Sequence, residues 1–338
     1  MKIAVLGCGA IGGLMLGFLT RDGCDVRGVV RDYQKEPLIE KGLIIAGSGK
    51  DQIFKVKVDD RLNENIDLAC FSTKIDDLED VIQANKSYLK GALVLTTQNG
   101  IGADEILSRH FAKEKIITSI VMFGATFYSP NRVVNNFGNE IIVGNFFGCK
   151  VAGLEKAVSQ LNKSFAVTID DEIKGAKYLK VFVNLNNCLA AIIGKSMQET
   201  FADLELANLS ILLNREAYEV VLKSGIRLNS LPNYPKERLQ GLVSMPVEEA
   251  AAIFSKIISG LSKEPLYGSI LQSIKRGRKS EVDYINGEIT RLAKKHNIQA
   301  PLNQKITELV HRVENEKRFF SKEELLAEIK GVLSYEVR

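Results

Sequence analysis

The chain begins with a short apolar run and a glycine-rich turn, and this turn restricts the possible folds more than any other feature. The run at residues 2–6 predicts a strand, and residues 12–19 predict a helix. Three glycines at this spacing allow a tight turn, the approach of a pyrophosphate to the backbone, and close packing of helix on strand. The free N–H groups that open the helix attract phosphate. We therefore predict a Rossmann-type dinucleotide site whose loop is Gly7, Cys8, Gly9, Ala10, Ile11 and Gly12. The alternative is a glycine-rich turn that binds no ligand.

Short apolar runs alternate with polar or helical stretches through the first half of the chain. They lie at residues 26–30, 68–72, 93–97 and 116–121. Such alternation predicts a parallel sheet covered by helices. Residues 124–148 are rich in Val, Ile and Phe, and we expect them to close the same sheet with further strands.

The pattern changes after about residue 170, where strand signals nearly vanish. Long helical patterns occupy residues 174–193, 204–224, 247–261, 280–295, 303–314 and 322–333. We therefore expect an α/β fold in two domains. The first, residues 1–169, is a Rossmann-type parallel sheet domain that contains the dinucleotide site, and the second, residues 170–338, is an all-helical domain.

Composition limits the class of protein and of partner. The chain has 338 residues, enough for two domains, and its 25% charged and 45% hydrophobic residues are typical of a soluble globular protein. The net charge of +4 is spread along the sequence, so we expect no nucleic-acid partner. No apolar run is long enough to cross a membrane, and we expect a cytoplasmic protein. The sequence leaves the oligomeric state open, a homodimer included.

Cysteine and histidine usage argues against disulfides and metals. The five cysteines form no Cys-x-x-Cys pair, which favours a reducing compartment over a disulfide framework or a zinc site. The three histidines stand apart in the sequence, with no second plausible ligand near any of them. We therefore expect no metal site.

The residues after the second predicted strand distinguish NADP from NAD. An arginine at this place accommodates a 2′-phosphate, and an acidic residue binds the ribose 2′-hydroxyl. The sequence here is Val30-Arg31-Asp32, with the arginine first after the strand. This order favours NADP(H), while Asp32 keeps NAD as an alternative.

The predicted helix at residues 174–193 carries polar side chains within an otherwise apolar stretch. Lys180 and Asn184 share a face because they are four residues apart, and Asn187 and Cys188 flank that stripe on either side. A buried lysine has a lowered pKa and can donate a proton near neutral pH. A lysine that reaches to solvent and an asparagine that caps or bridges helices would give the same pattern. The residues alone do not decide between these interpretations.

Four separated motifs together resemble the ketopantoate reductase (2-dehydropantoate 2-reductase) family. They are Gly7-x-Gly9-Ala10-Ile11-Gly12 with Arg31, Lys74 with Gln98-Asn99-Gly100, Lys180-x-x-x-Asn184, and Ser269-Ile-Leu-Gln272 with Glu281-Val-Asp283-Tyr-Ile-Asn286-Gly287. The motifs span nearly the whole chain in the family's order. The resemblance implies a Rossmann domain followed by a helical domain, with the active site in the cleft. It also implies NADPH-dependent reduction of 2-dehydropantoate to (R)-pantoate, on the route to pantothenate and coenzyme A.

The resemblance also implies a role for each matching residue. Lys180 would be the general acid that protonates the ketone oxygen, and Glu281 would help to hold its charge and position. The substrate would contact Asn184, Ser269 and Asn99, with Asn187 or Cys188 completing the pocket. The cofactor contacts outside the glycine turn would be Arg31, Lys74, Asn99 and Glu281.

The sequence departs from the family pattern on the predicted helix. The family usually has a second asparagine four residues after the first, where this chain has Cys188, and Asn187 stands one residue earlier. Tyr178 also stands where many relatives carry tryptophan. These departures leave three hypotheses open: a 2-dehydropantoate 2-reductase, a paralogous NAD(P)H-dependent reductase of another 2-oxo acid, and a non-catalytic NADP(H)-binding sensor.

Overall fold

A computed structural model describes residues 1–47, 49–262 and 264–333 of the chain. It divides into two units, one made of Met1–Gln98 and Gly102–Lys174, the other of Asn99–Ile101 and Gly175–Arg338. The predicted fold class is confirmed, because the first unit contains a mostly parallel sheet with helices, and the regular elements described between Ile173 and Leu333 are helices. No helix within the described ranges combines the length and apolar character needed to span a bilayer.

Most strands of the first unit form one large sheet. In chain order the strands are β1 (Ile3–Leu6), β2 (Val26–Val29), β3 (Leu43–Ala46), β4 (Gln52–Phe54), β5 (Lys57–Asp59), β6 (Leu68–Phe71), β7 (Leu93–Thr96), β8 (Ile116–Val121), β9 (Gly124–Ser129), β10 (Arg132–Phe137), β11 (Glu140–Gly144) and β12 (Ala166–Ile169). The large sheet has the order β12-β11-β8-β7-β6-β1-β2-β5. Its pairs are parallel except β11 with β8. The run β2-β1-β6-β7-β8, with β5 outside β2, follows the doubly wound order in which dinucleotides bind where the strand order reverses.

The expectation that residues 124–148 close the large sheet is wrong for two of their three strands. Only β11 joins that sheet, while β9 and β10 form an antiparallel hairpin in a second sheet of order β4-β3-β10-β9. Asn131 in the hairpin turn holds them there, because its Nδ2 donates to the Gly42 carbonyl at 3.0 Å and its own carbonyl accepts from Ile44 at 2.7 Å. An apolar strand pattern shows that a strand is buried, but it does not show which sheet the strand joins.

The helices cover the first unit and build the second. In chain order they are α1 (Ala10–Arg21), α2 (Asp32–Lys41), α3 (Leu78–Asn85), α4 (Gly102–His110), α5 (Leu154–Leu161), α6 (Ile173–Leu185), α7 (Asn187–Ile193), α8 (Met197–Phe201), α9 (Leu204–Lys223), α10 (Lys236–Ser244), α11 (Val247–Ser259), α12 (Ser269–Lys275), α13 (Asn286–Lys295), α14 (Pro301–Glu316) and α15 (Lys322–Leu333).

Two predicted helices are shorter than expected. The predicted helix at residues 174–193 is broken at Asn186, whose side chain bonds to another helix. The predicted helix at 280–295 begins only at Asn286, because Ile285 has φ −117° and ψ −83°, outside the helical region. Glu281 therefore precedes a short 3-10 turn, Val282–Tyr284, and is not part of an α-helix.

A buried carboxylate caps α14 in the helical unit. Glu216 on α9 accepts hydrogen bonds from the backbone nitrogens of Leu302 and Asn303 at 2.8 and 2.7 Å, and from Asn303 Nδ2 at 2.8 Å. A negative charge at a helix N-terminus is favourable, although burial raises the pKa of this carboxyl. Glu216 thereby ties α9 to the start of α14.

We predict that Glu216→Ala lowers the free energy of unfolding by about 2–4 kcal/mol, because it leaves the backbone nitrogens of Leu302 and Asn303 without an acceptor. Asn303 Nδ2 loses one acceptor and keeps the Leu213 carbonyl at 3.2 Å. Urea denaturation followed by circular dichroism measures the change. The matched control is Glu219→Ala on the same helix, whose exposed ion pair with Lys223 contributes less than about 1 kcal/mol. Equal stability of the two variants would contradict the capping role.

Candidate active site

The glycine-rich turn has the geometry that its three glycines predict. Gly7 has a φ of +94°, and a Cβ there would lie 2.7 Å from the backbone nitrogen of Thr73. A Cβ at Gly12 would lie 2.0 Å from the carbonyl oxygen of Gly7, so only glycine lets α1 start this close to β1. At Gly9, by contrast, no atom beyond its chain neighbours lies within 4 Å of the Cβ position.

The open space at Gly9 lies where α1 begins. Gly9 is the N-terminal cap of α1, and the first turn of the helix contains no acidic residue. Backbone N–H groups and the positive end of the helix dipole therefore face this space without a competing carboxylate of their own. Ala10 and Ile11, which follow, are only partly buried. The residues present fit the pyrophosphate of a dinucleotide.

The remaining residue of the loop, Cys8, contributes backbone and not thiol chemistry. Its side chain is buried, its Sγ lies 3.8 Å from the Val5 carbonyl, and burial raises the pKa of the thiol to about 12. The Cys8 carbonyl accepts a hydrogen bond of 2.9 Å from Nε2 of the buried Gln34. Gln34 on α2 thereby fixes the middle of the loop.

Arg31, the predicted 2′-phosphate ligand, stands at the start of α2 and forms an ion pair. Its Nη2 lies 2.7 Å from Oδ2 of Asp77, with 65% of the Arg31 side chain and 44% of the Asp77 side chain exposed. Asp77 ends a 3-10 turn in which its nitrogen donates to the carbonyl of Lys74 at 3.1 Å. The ion pair therefore links the end of β2 to the turn after β6 where Lys74 lies.

The segment after β7 packs against the residues around Glu281. Nδ2 of Asn99 lies 3.5 Å from Oε2 of Glu281, a long hydrogen bond between residues 182 positions apart. Gly100 has a φ of +76°, and a Cβ there would lie 2.0 Å from the carbonyl oxygen of Tyr284. Two predicted site residues from distant motifs are thus brought together within the helical unit.

Lys180 lies on α6 between the buried side chains of Leu179 and Val181. Its own side chain is mostly buried, and this burial lowers the pKa of the ammonium group below its ordinary range. Asn184, one turn further along α6, is partly buried. The ammonium is thus in the environment that makes a lysine a more effective proton donor near neutral pH.

Buried amides hold the break that follows α6. Oδ1 of Asn186 accepts from Ser210 Oγ at 2.8 Å and from Asn214 Nδ2 at 3.0 Å, both on α9. The carbonyl of Leu185 accepts from Nδ2 of the fully buried Asn286 at 3.4 Å. Hydrogen bonds to α9 and α13 therefore define where the helix of Lys180 ends.

The break separates the two residues that were predicted to flank the Lys180 stripe. Cys188 has no exposed surface, its Sγ lies 2.8 Å from the Leu185 carbonyl, and burial raises the pKa of its thiol to about 12. Asn187 remains partly exposed and packs against Gly268, the residue before Ser269 at the start of α12. Asn187 thus lies against the residue that precedes Ser269, whereas Cys188 is turned into the core.

Sequence reasoning assigned no role to several side chains that support these segments, although Gln98 and Asn286 belong to the motifs named above. Gln34 stands three residues after Arg31, the spacing of a pair at a helix N-terminus, which was an available signal. Gln98 is buried and its Nε2 donates to the Thr73 carbonyl at 3.0 Å, which connects the turns after β6 and β7. For Asn186 and Asn286 the sequence contains no local signal, because their partners lie on other helices.

Comparison with known proteins agrees with this arrangement. The family described as "Ketopantoate reductase PanE/ApbA" matches residues 3–148, and "Ketopantoate reductase PanE/ApbA C terminal" matches residues 172–314. The chain belongs to the ketopantoate reductase family. A 2-dehydropantoate 2-reductase of Pyrococcus abyssi is 30% identical over 90% of this chain and 94% of its own length. One of Pyrococcus horikoshii is 27% identical over 93% and 98%.

Solved structures with this fold include enzymes named for two different substrates. A D-mandelate dehydrogenase bound to NADH and anilino(oxo)acetate is 27% identical, covers 94% of this chain and 99% of its own, and has a TM-score of 0.79. A family ketopantoate reductase from Ralstonia eutropha JMP134 has the same fold, with a TM-score of 0.79 at 22% identity and coverage of 94% and 99%. The chain is therefore an oxidoreductase of a family that uses a nicotinamide cofactor.

We predict that alanine at two glycines of the loop affects two different properties, cofactor binding at Gly9 and stability at Gly12. Gly9→Ala places its methyl group in open space, so the free energy of unfolding changes by less than about 1 kcal/mol while the Kd for the dinucleotide rises at least about tenfold. Gly12→Ala forces α1 away from Gly7 and lowers the free energy of unfolding by about 1–3 kcal/mol. Calorimetric titration and thermal unfolding measure the two effects. Unchanged cofactor binding in Gly9→Ala would rule out the loop as the phosphate site.

Proposed function

We propose that the protein is an NADPH-dependent 2-dehydropantoate 2-reductase in which Lys180 is the general acid. The observation that carries this proposal is the mostly buried ammonium of Lys180, whose pKa is lowered, on a helix that also presents Asn184. The matches to 2-dehydropantoate 2-reductases along nearly the whole chain support the choice of substrate. A protein that only senses NADP(H) has no use for such a proton donor.

In the proposed reaction the nicotinamide supplies the hydride, and the residues of the chain bind, orient and protonate the ketone. The positive charge of Lys180 stabilises the alkoxide that develops on the ketone oxygen, and its Nζ then gives that oxygen a proton. Glu281 lies in the same unit, and its Oε2 accepts the long hydrogen bond from Nδ2 of Asn99 at 3.5 Å. We propose that Glu281 helps to hold the lysine in its charged form and in position.

Three further side chains are candidates to hold the 2-oxo acid. Asn184, Asn187 and Ser269 are each partly buried. The side chain of none of the three forms a hydrogen bond with another of the described residues. A carboxamide and a hydroxyl can both donate and accept, as binding of an oxygen-rich substrate requires. Because Cys188 has no exposed surface, we assign the second amide of the pocket to Asn187.

A second candidate function is NADH-dependent reduction of another 2-oxo acid. Two observations favour it: the D-mandelate dehydrogenase with NADH has the same fold at 27% identity, and Arg31 is already paired with Asp77. Steady-state assays with 2-dehydropantoate and a panel of aromatic and branched 2-oxo acids, each with NADPH and NADH, separate the two functions. The substrate and cofactor with the highest kcat/KM decide between them.

We predict that Lys180→Ala lowers kcat/KM for the 2-oxo acid by about 10²–10⁴, the usual contribution of a positioned general acid. In the wild type, the reduction rate falls as pH rises through the pKa of Lys180, because only the protonated ammonium donates. Since burial lowers this pKa, the fall comes at a lower pH than for an exposed lysine. The matched control is Lys174→Ala, an exposed lysine on the same helix. Unaltered turnover in Lys180→Ala would refute the proposal.

We predict that the Arg31–Asp77 ion pair controls the preference for NADPH. Asp77→Asn removes the competitor of a 2′-phosphate and lowers the KM for NADPH about two- to fivefold, the range of an exposed ion pair. Arg31→Ala raises that KM at least about tenfold, and neither variant changes the KM for NADH. Arg21→Ala, which breaks an ion pair with Asp22 at the other end of α1, is the control. Parallel changes with both cofactors would contradict a role in 2′-phosphate recognition.

A further inference from the structure

The start of α12 contains a glycine that the backbone does not require. We propose that Gly268 is a positioning residue for substrate binding, whose missing side chain makes the space in which the Asn187 carboxamide lies against the start of α12, where Ser269 is the first residue. This inference rests on the proposed function, because it concerns how the same 2-oxo acid is held.

The contact between Gly268 and Asn187 is close. A Cβ at Gly268 would lie 2.7 Å from Cγ, 2.8 Å from Oδ1 and 2.9 Å from Cβ of Asn187. Real Cβ atoms essentially never approach other heavy atoms below 3.0 Å, so a side chain at this position requires Asn187 to move. All three atoms belong to one side chain, and the contact therefore couples the two residues directly.

The backbone conformation excludes the usual reason for a glycine. Gly268 has φ −63° and ψ 158°, an extended conformation that any residue adopts. Glycine is also a weaker helix N-cap than serine. Because neither conformation nor capping requires glycine here, space for Asn187 is the physical reason that remains.

The neighbours of Asn187 in the chain restrict how this residue can move. Asn186, the residue before it, is buried and bonded to Ser210 and Asn214 of α9, and Cys188, the residue after it, is fully buried. The backbone on both sides of Asn187 is therefore held. An added methyl group at Gly268 rotates the Asn187 carboxamide and, because the Asn187 Cβ at 2.9 Å does not move in that rotation, also shifts the start of α12. Both movements take the carboxamide out of its place against Gly268.

The test measures steady-state kinetics of Gly268→Ala and Gly268→Ser with whichever 2-oxo acid the wild type reduces best. We expect the KM for that acid to rise about three- to tenfold, the effect of one lost hydrogen bond, with kcat within about twofold and the Kd for the cofactor unchanged. Serine restores and improves the helix cap, so an effect shared by both variants comes from the added Cβ and not from the cap. The matched control is Gly241→Ala in α10, where no atom lies within 4 Å of the Cβ position.

A double-mutant cycle decides whether the effect acts through Asn187. Asn187→Ala alone raises the same KM, and Gly268→Ala adds little to it in that background, because the carboxamide is already absent. Wild-type KM values in Gly268→Ala, or full additivity in the double variant, would overturn this inference alone. Absence of turnover by the wild type with every 2-oxo acid of the panel would overturn the proposed function, and this inference with it.

Discussion

The close approach of Gly12 to the carbonyl of Gly7 is the constraint on which the first unit depends. It brings the backbone of α1 against the end of β1, and glycines also form the face of the same helix that meets the second sheet. A Cβ at Gly13 would lie 2.7 Å from Val133 in the second sheet, and one at Gly17 would lie 2.4 Å from Ile45. The helix is thus packed by backbone on both sides, between two sheets, and its N-terminus is fixed where phosphate binds.

In the helical unit the corresponding constraint is polar. Asn186 and Asn286 meet their hydrogen-bond partners only if α6 ends at Leu185. A buried polar group without a partner costs free energy, so the network favours this one end point for the helix. The consequence is that Cys188 turns into the core and Asn187 stays partly exposed. If Asn187 holds the substrate as proposed, the departure from the family's second asparagine is a shift of the amide by one position along the chain.

Local features of the sequence predict more of this protein than features that depend on distant partners. The glycine turn could be predicted because strand, loop and helix lie within twelve consecutive residues. The roles proposed for Lys180 and Glu281 rest on the family resemblance, since nothing in either segment alone separates a catalytic residue from an ordinary structural one. The sheet joined by the hairpin within residues 124–148 could not be predicted, because its partner strand, β3, lies far away in the sequence. The prediction that Lys180, Asn184, Asn187 and Cys188 form one stripe likewise assumes an unbroken helix. The helix ends at Leu185, because the side chain of Asn186 bonds to Ser210 and Asn214 on α9.

The two charges central to the proposed reaction are controlled by different physical means. Burial sets the proton affinity of Lys180, and salt screens a buried group weakly. Arg31 is held by an exposed ion pair with Asp77, which salt and single substitutions weaken readily. The pairing at Arg31 can therefore change without altering the acid that protonates the ketone. This separation gives a physical reason why one fold accommodates relatives named as 2-dehydropantoate 2-reductases and a D-mandelate dehydrogenase that binds NADH. In the proposed function, cofactor choice depends on an exposed turn, whereas proton donation depends on the interior of a helical unit.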